Sequence, residues 1–210
     1  MADDQYLAVR LDGVEFEFQP CWHNDAVAAA ERVGQFLARE TRQAQDVLPS
    51  EFLLEADMAY ALSGLGVRQQ QVVHTAQLEQ ALNLRDEPIV WVGNEVICSA
   101  GGKAADLVTF HRRAQADHPQ EPTSISVFEL KNVALSAPDL SQLGTYATWM
   151  AHTYLRKDVS RVRQVLIGWS PHETVDEQVL SAARDGAGNS RVIVFTYRLL
   201  NGQVLLTRHM

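Results

Sequence analysis

Two periods alternate along this chain, one near two residues and one near 3.6, and their order predicts strands and helices packed in layers. Residues Tyr6 to Phe18 alternate apolar and polar positions about Asp12-Gly13, a dipeptide suited to a tight hairpin turn. From Asn24 or Asp25 as N-cap, the run AVAAAERVGQFLARETRQAQDVL puts Val27, Ala30, Val33, Phe36 and Leu37 on one stripe, which predicts an amphipathic helix. A second helix is predicted to start near Ser50 with Leu53, Leu54, Met58 and Leu62 inward, and to end at Gly64 or Gly66. Thr75 can cap a short helix, TAQLEQALNL, that buries Leu78, Ala81 and Leu82.

The pattern then shortens. PIVWVGNEVICSA alternates about Gly93-Asn94 and predicts a hairpin leading into the strand AADLVTF. HRRAQADHPQEPTS has no period and reads as a loop, whereas ISVFEL is a buried strand. Pro138 and Asp139 open a helix with Leu140, Leu143, Ala147, Met150, Ala151 and Tyr154 on one side. VRQVLIGW is a strand, ETVDEQVLSAAR a helix with Val175, Val179 and Ala183 inward, and RVIVFTYRLL with QVLLTR a closing hairpin turning at Asn201-Gly202. Helices alternating with short strands predict an α/β sandwich on a central mixed sheet. A division near Val67 separates an N-terminal hairpin and helical subdomain, residues 1–67, from an α/β domain, residues 68–210.

Composition narrows the classes. At 210 residues, 46% hydrophobic and 21% charged, the chain can build one good core. No apolar run approaches the roughly 20 residues that span a bilayer, and Met1-Ala2-Asp3-Asp4 is acidic where a leader would be basic, so no membrane and a cytoplasmic location are expected. Cys21 and Cys98 lack metal or disulfide spacing, and the seven histidines show neither H-x-x-x-H nor H-E-x-x-H. Nucleophile-elbow and P-loop patterns are absent. A net charge of −8 opposes the usual footprint of a nucleic-acid binder, although His111-Arg112-Arg113 and Arg156-Lys157 with Arg161 and Arg163 are local basic patches.

Candidate chemistry gathers between Ala104 and Tyr146. Glu129 and Lys131 share one side of their strand and Leu130 takes the other; if the strand carrying Asp106 is a neighbour, two carboxylates and an ammonium converge. Such a set suits a hard divalent cation and phosphodiester hydrolysis. Gln142 and Tyr146, four residues apart, share a face of the following helix.

Together these residues resemble the PD-(D/E)xK nuclease superfamily, whose fold is restriction-endonuclease-like, over roughly residues 75–208. The resemblance implies a core of that fold with the N-terminal hairpin and helices as an extension. It also implies a Mg²⁺-dependent DNA nuclease, with Mn²⁺ able to substitute. Asp106 and Glu129 match the metal-binding acids, with the Leu130 carbonyl as a further ligand, and Lys131 matches the motif's lysine. Gln142 and Tyr146 match the Q-x-x-x-Y helix of NucS-like and RecB-like branches. Glu79 resembles the extra acid of those branches, a role Glu51 or Glu55 could take instead. Arg112 and Arg113 are the expected substrate contacts. Ala105 stands where the motif's name has proline, and Asp117 is a rival ligand if the polar segment is structured. By analogy the enzyme would act in repair, restriction or defence, as a homodimer or with protein partners. The alternative is a catalytically degenerate module of the same fold that binds nucleic acid or assembles a larger complex.

Overall fold

The computed structural model describes residues 9–11, 14–16, 39, 47–48, 50–62, 73–98, 102–113, 121–185, 191–200 and 203–210. The turns at Asp12-Gly13 and Asn201-Gly202, Asp117 and, apart from Arg39, the first predicted helix up to Asp46 lie outside them. Strands β1 (Val9–Leu11) and β2 (Val14–Phe16) pair antiparallel, as the alternation there predicts.

Six strands form the main sheet in chain order: β3 (Ile89–Ile97), β4 (Ala104–His111), β5 (Ser124–Lys131), β6 (Val162–Trp169), β7 (Arg191–Leu200) and β8 (Gln203–Arg208). β3, β4 and β5 make an antiparallel meander, β5, β6 and β7 run parallel, and β8 returns antiparallel. The parallel step from β5 to β6 needs a crossover, supplied by α3 (Ala137–Tyr154). Helix α4 (Glu177–Asp185) connects β6 to β7 in the same way.

Alternation sorts the side chains of each strand onto two faces. Phe128 and Leu130 of β5, Leu107 of β4 and Val165 and Ile167 of β6 pack with α1 (Glu51–Leu62) and α2 (Val73–Leu82). Ile125, Val127, Val108, Val162 and Leu166 face the other way, onto Leu143, Tyr146, Ala147, Met150 and Ala151 of α3. The sheet is therefore sandwiched between helices, and the first of its two cores takes residues from both sides of Val67.

Three local expectations are corrected. β3 runs unbroken through Gly93-Asn94, with Gly93 opposite Val108 and Asn94 opposite Leu107. The glycine serves packing, since a Cβ there would lie 2.2 Å from the Trp91 indole, which lies against it. The chain reverses after β3, where Cys98 N–H donates to the Lys103 carbonyl at 2.9 Å. Helix α2 begins before Thr75, at Val73. Tyr154, expected inward, is 41% exposed at the end of α3.

Candidate active site at one end of the sheet

The β4–β5 ladder ends at Leu107 opposite Phe128, so the next positions, Asp106 and Glu129, stand across from each other on the α3 face. There the Asp106 carboxylate takes over from the backbone, accepting the Leu130 N–H at 2.5 Å. Glu129 is fully buried. Lys131, two residues on and on the same face, holds its ammonium 2.7 Å from Glu129 and 3.1 Å from Glu51 in the first turn of α1. Among the described residues neither Glu129 oxygen receives an aligned hydrogen bond, so the Lys131 contact is an ion pair of poor direction.

The cluster carries excess negative charge in a low-dielectric place. Burial first, and the charge of Glu129 second, push the Asp106 carboxyl up to about 8 against the opposing pull of Leu130 N–H and Lys131. Glu129 is also raised, by burial, although Lys131 opposes it. Burial pulls the Lys131 ammonium down, but Glu129, Asp106 and Glu51 outweigh it, and its net shift is upward. Lys131 is thus a fixed cation between acids.

On α3, Gln142 donates to the Tyr146 hydroxyl at 2.6 Å. Burial raises the Tyr146 phenol and the charges of Glu129 and Asp106 raise it further, which sets this pair beside the acids. The start of α3 is fixed by Asp139, whose carboxylate accepts both the N–H and the hydroxyl of Ser136 at 2.8 Å. Gly168 of β6, opposite Lys131, leaves room for Leu135 of the β5–α3 connection: a Cβ would lie 2.3 Å from it. The connection is pinned where Trp169 N–H donates to the Val133 carbonyl at 3.0 Å.

The structure thus brings together Asp106, Glu129, Lys131, Gln142 and Tyr146, with Leu130 between the charged residues. Glu79 is exposed on α2, and the helical acid that reaches Lys131 is Glu51. No local pattern singles out Glu51, since its partner is 80 residues away; its only sequence cue is the start of a helix, where Ser50 Oγ accepts the Leu53 N–H. Arg112 and Arg113 follow the far end of β4, about 20 Å along the strand from Asp106. Arg113 there pairs with Glu87 at 2.6 Å.

Among the described residues no three His, Cys, Asp or Glu side chains are gathered closely enough to hold a metal. The donor set is two neighbouring carboxylates. That fits Mg²⁺ or Mn²⁺, which accept one or two carboxylates and keep several waters, and it does not fit zinc. Among the described residues no helix is long and apolar enough to cross a membrane. No family model, curated protein or solved structure matches the chain.

Proposed function

We propose that this chain is a metal-dependent nuclease with a restriction-endonuclease-like core, hydrolysing phosphodiester bonds of DNA. The observation that carries the reading is Glu129: a fully buried carboxylate with no aligned hydrogen bond among the described residues, set across from Asp106 and against Lys131. With Asp106 across from it and the Lys131 ammonium as its close cation, such a buried carboxylate pair gains from a further cation. The element order supports the reading, with an antiparallel meander bearing the acids, a helix bearing Gln142 and Tyr146, and a parallel fourth strand.

Asp106 and Glu129 would hold Mg²⁺ or Mn²⁺, with the Leu130 carbonyl as a further ligand. A bound divalent cation lowers the pKa of a water and screens the phosphate's charge. Lys131 remains an ammonium, so it serves as a hydrogen-bond donor and point charge to the phosphoryl oxygens and not as the base. Glu51 holds the Lys131 side chain from the opposite layer. Gln142 and Tyr146 border the acids and orient substrate or water.

The test is cleavage of linear, circular, single-stranded and mismatched DNA with Mg²⁺ or Mn²⁺, beside calorimetric Mn²⁺ titration. Asp106→Ala and Glu129→Ala should lose both cleavage and metal. Lys131→Ala should keep metal and lose cleavage by about 100-fold or more, as removing a transition-state donor does. Undiminished cleavage by Glu129→Ala would refute the assignment. A second reading, the degenerate module that binds nucleic acid or assembles a complex, is favoured by one fact: Leu130 N–H and the Lys131 ammonium already offset part of the acids' charge. Wild-type protein that binds DNA but does not cut it under any divalent metal would decide for that reading.

A further inference from the structure

Three aromatic rings line up on the α3 face of the β3–β4 pair. Trp91 of β3 lies opposite Phe110 of β4, with ring centres 4.8 Å apart, and Phe110 meets Tyr154, the last residue of α3, at 5.0 Å. Trp91 and Phe110 are only half-buried against the core, and Tyr154 is 41% exposed. Gly93 lets the indole lie against the strand, because any Cβ there would collide with it. A partly wet, packed ladder of large rings at the edge of a sheet is a costly surface to leave to water alone.

Its setting indicates the occupant. Phe110 is four residues from Asp106 on the same strand and the same face, about 13 Å away. Two and three residues after Tyr154, past the buried Leu155, come Arg156 and Lys157, both exposed and both with left-handed backbone (φ 53° and 70°). Among the described residues Arg156 pairs with Glu121 at 2.8 Å, a solvent-accessible pair in which a phosphate can replace the carboxylate. Aromatic faces beside cations are how proteins hold unpaired nucleotides: bases stack on the rings and cations take the backbone. In a duplex the bases already stack on one another and offer no free face.

We infer that Trp91, Phe110 and Tyr154 form a stacking platform for unpaired bases of a nucleic acid whose backbone reaches the Asp106–Glu129 pair. The inference deepens the nuclease reading and rests on it for the direction of the strand: the substrate has a single-stranded segment, as a flap, overhang or gap does. Tyr154 is the outermost ring and Arg156 and Lys157 are its phosphate contacts.

The test is fluorescence anisotropy of a labelled oligo(dT), against a blunt duplex of the same length, with EDTA present so that nothing is cut. Oligo(dT) should bind the more tightly. Tyr154→Ala should weaken it about tenfold, a loss typical of one stacked base, while Tyr154→Phe keeps the affinity. Equal binding of duplex and oligo(dT), or full affinity in Tyr154→Ala of unchanged Tm, overturns the inference; so does absence of oligo(dT) binding, the result expected if the patch serves a protein partner. Cleavage in Mg²⁺ is scored separately. Binding through Tyr154 without cleavage sinks the nuclease reading alone, and cleavage of duplex without oligo(dT) binding sinks the platform alone.

Discussion

The acid pair is legible in the sequence because strand alternation is local: Glu129 and Lys131 must share a face, and Asp106 joins them once β4 and β5 pair. Glu51 is legible only as one of three helical acids, beside Glu79 and Glu55, since nothing in a chain pattern tells which of them will reach a lysine 80 residues away. The same arrangement sets a charge prediction. A carboxyl raised in the folded state from 3.8 to about 8 contributes stability fully present below pH 3.8 and lost as pH rises through about 8. In metal-free buffer at pH 9, Asp106→Asn should therefore melt higher than wild type, by about 2–4 °C for each kcal/mol regained, with little difference at pH 4. The amide oxygen can still accept the Leu130 N–H, so the fold is kept. Thermal melts in EDTA at the two pH values are the measurement, and equal melting at pH 9 would show that Asp106 ionises in the folded protein without cost.

Among the elements, β5, β6 and α3 lie where apolar spacing places them, whereas α4 begins at Glu177, four residues later than ETVDEQVLSAAR predicts, and leaves Val175 ahead of it. The misreadings come from residues whose chemistry has two uses. Gly93 suits a turn as well as a packing contact and the Trp91 indole against it decides for packing, while Tyr154 continues the apolar stripe of α3 past the core that the stripe serves. Gly168 has a third use, clearance beside Lys131, and it couples the β5–α3 connection to the site. Gly168→Ala would press its new methyl on Leu135 and crowd the Val133 carbonyl at 3.1 Å. The expected cost is about 1–3 kcal/mol, as for other overpacked sites. Cutting back the obstacle in Gly168→Ala/Leu135→Ala should recover part of that loss, because the two substitutions meet at one contact. Urea titration of both variants reads this, and a double variant no more stable than strict additivity allows would place the strain elsewhere.

Across the whole molecule, the sheet has a charged cluster at each end and apolar layers between them. Opposite the acids, Glu87 binds Arg113, Arg163 and Ser124, and its own carbonyl meets His111 Nδ1 at 3.1 Å. His111 Nε2 lies 2.8 Å from both Thr109 and Ser126 hydroxyls, so the ring is buried and satisfied as the neutral form. Burial pushes Glu87 up, but Ser124 and the two arginines outweigh it and hold it at about 2. Burial first and Arg163 second lower His111 to about 4. Both groups destabilise the fold in acid. The unfolded chain takes up a histidine proton from 6.5 downward that the folded chain refuses until about 4, and a carboxyl proton from 4.5 that Glu87 refuses until about 2. Stability should fall continuously from pH 6.5 to pH 2 at this end, while Asp106 pulls the other way. Relative to wild type, His111→Gln, which never gains a charge, should gain stability as pH falls from 6.5 to 4 and leave the carboxylate limb below 4.5 in place, even though the lost hydrogen bonds lower its stability at pH 7 by about 1–3 kcal/mol. Urea midpoints across pH 2–7 measure both limbs. An unchanged slope in His111→Gln would assign the upper acid limb to another group.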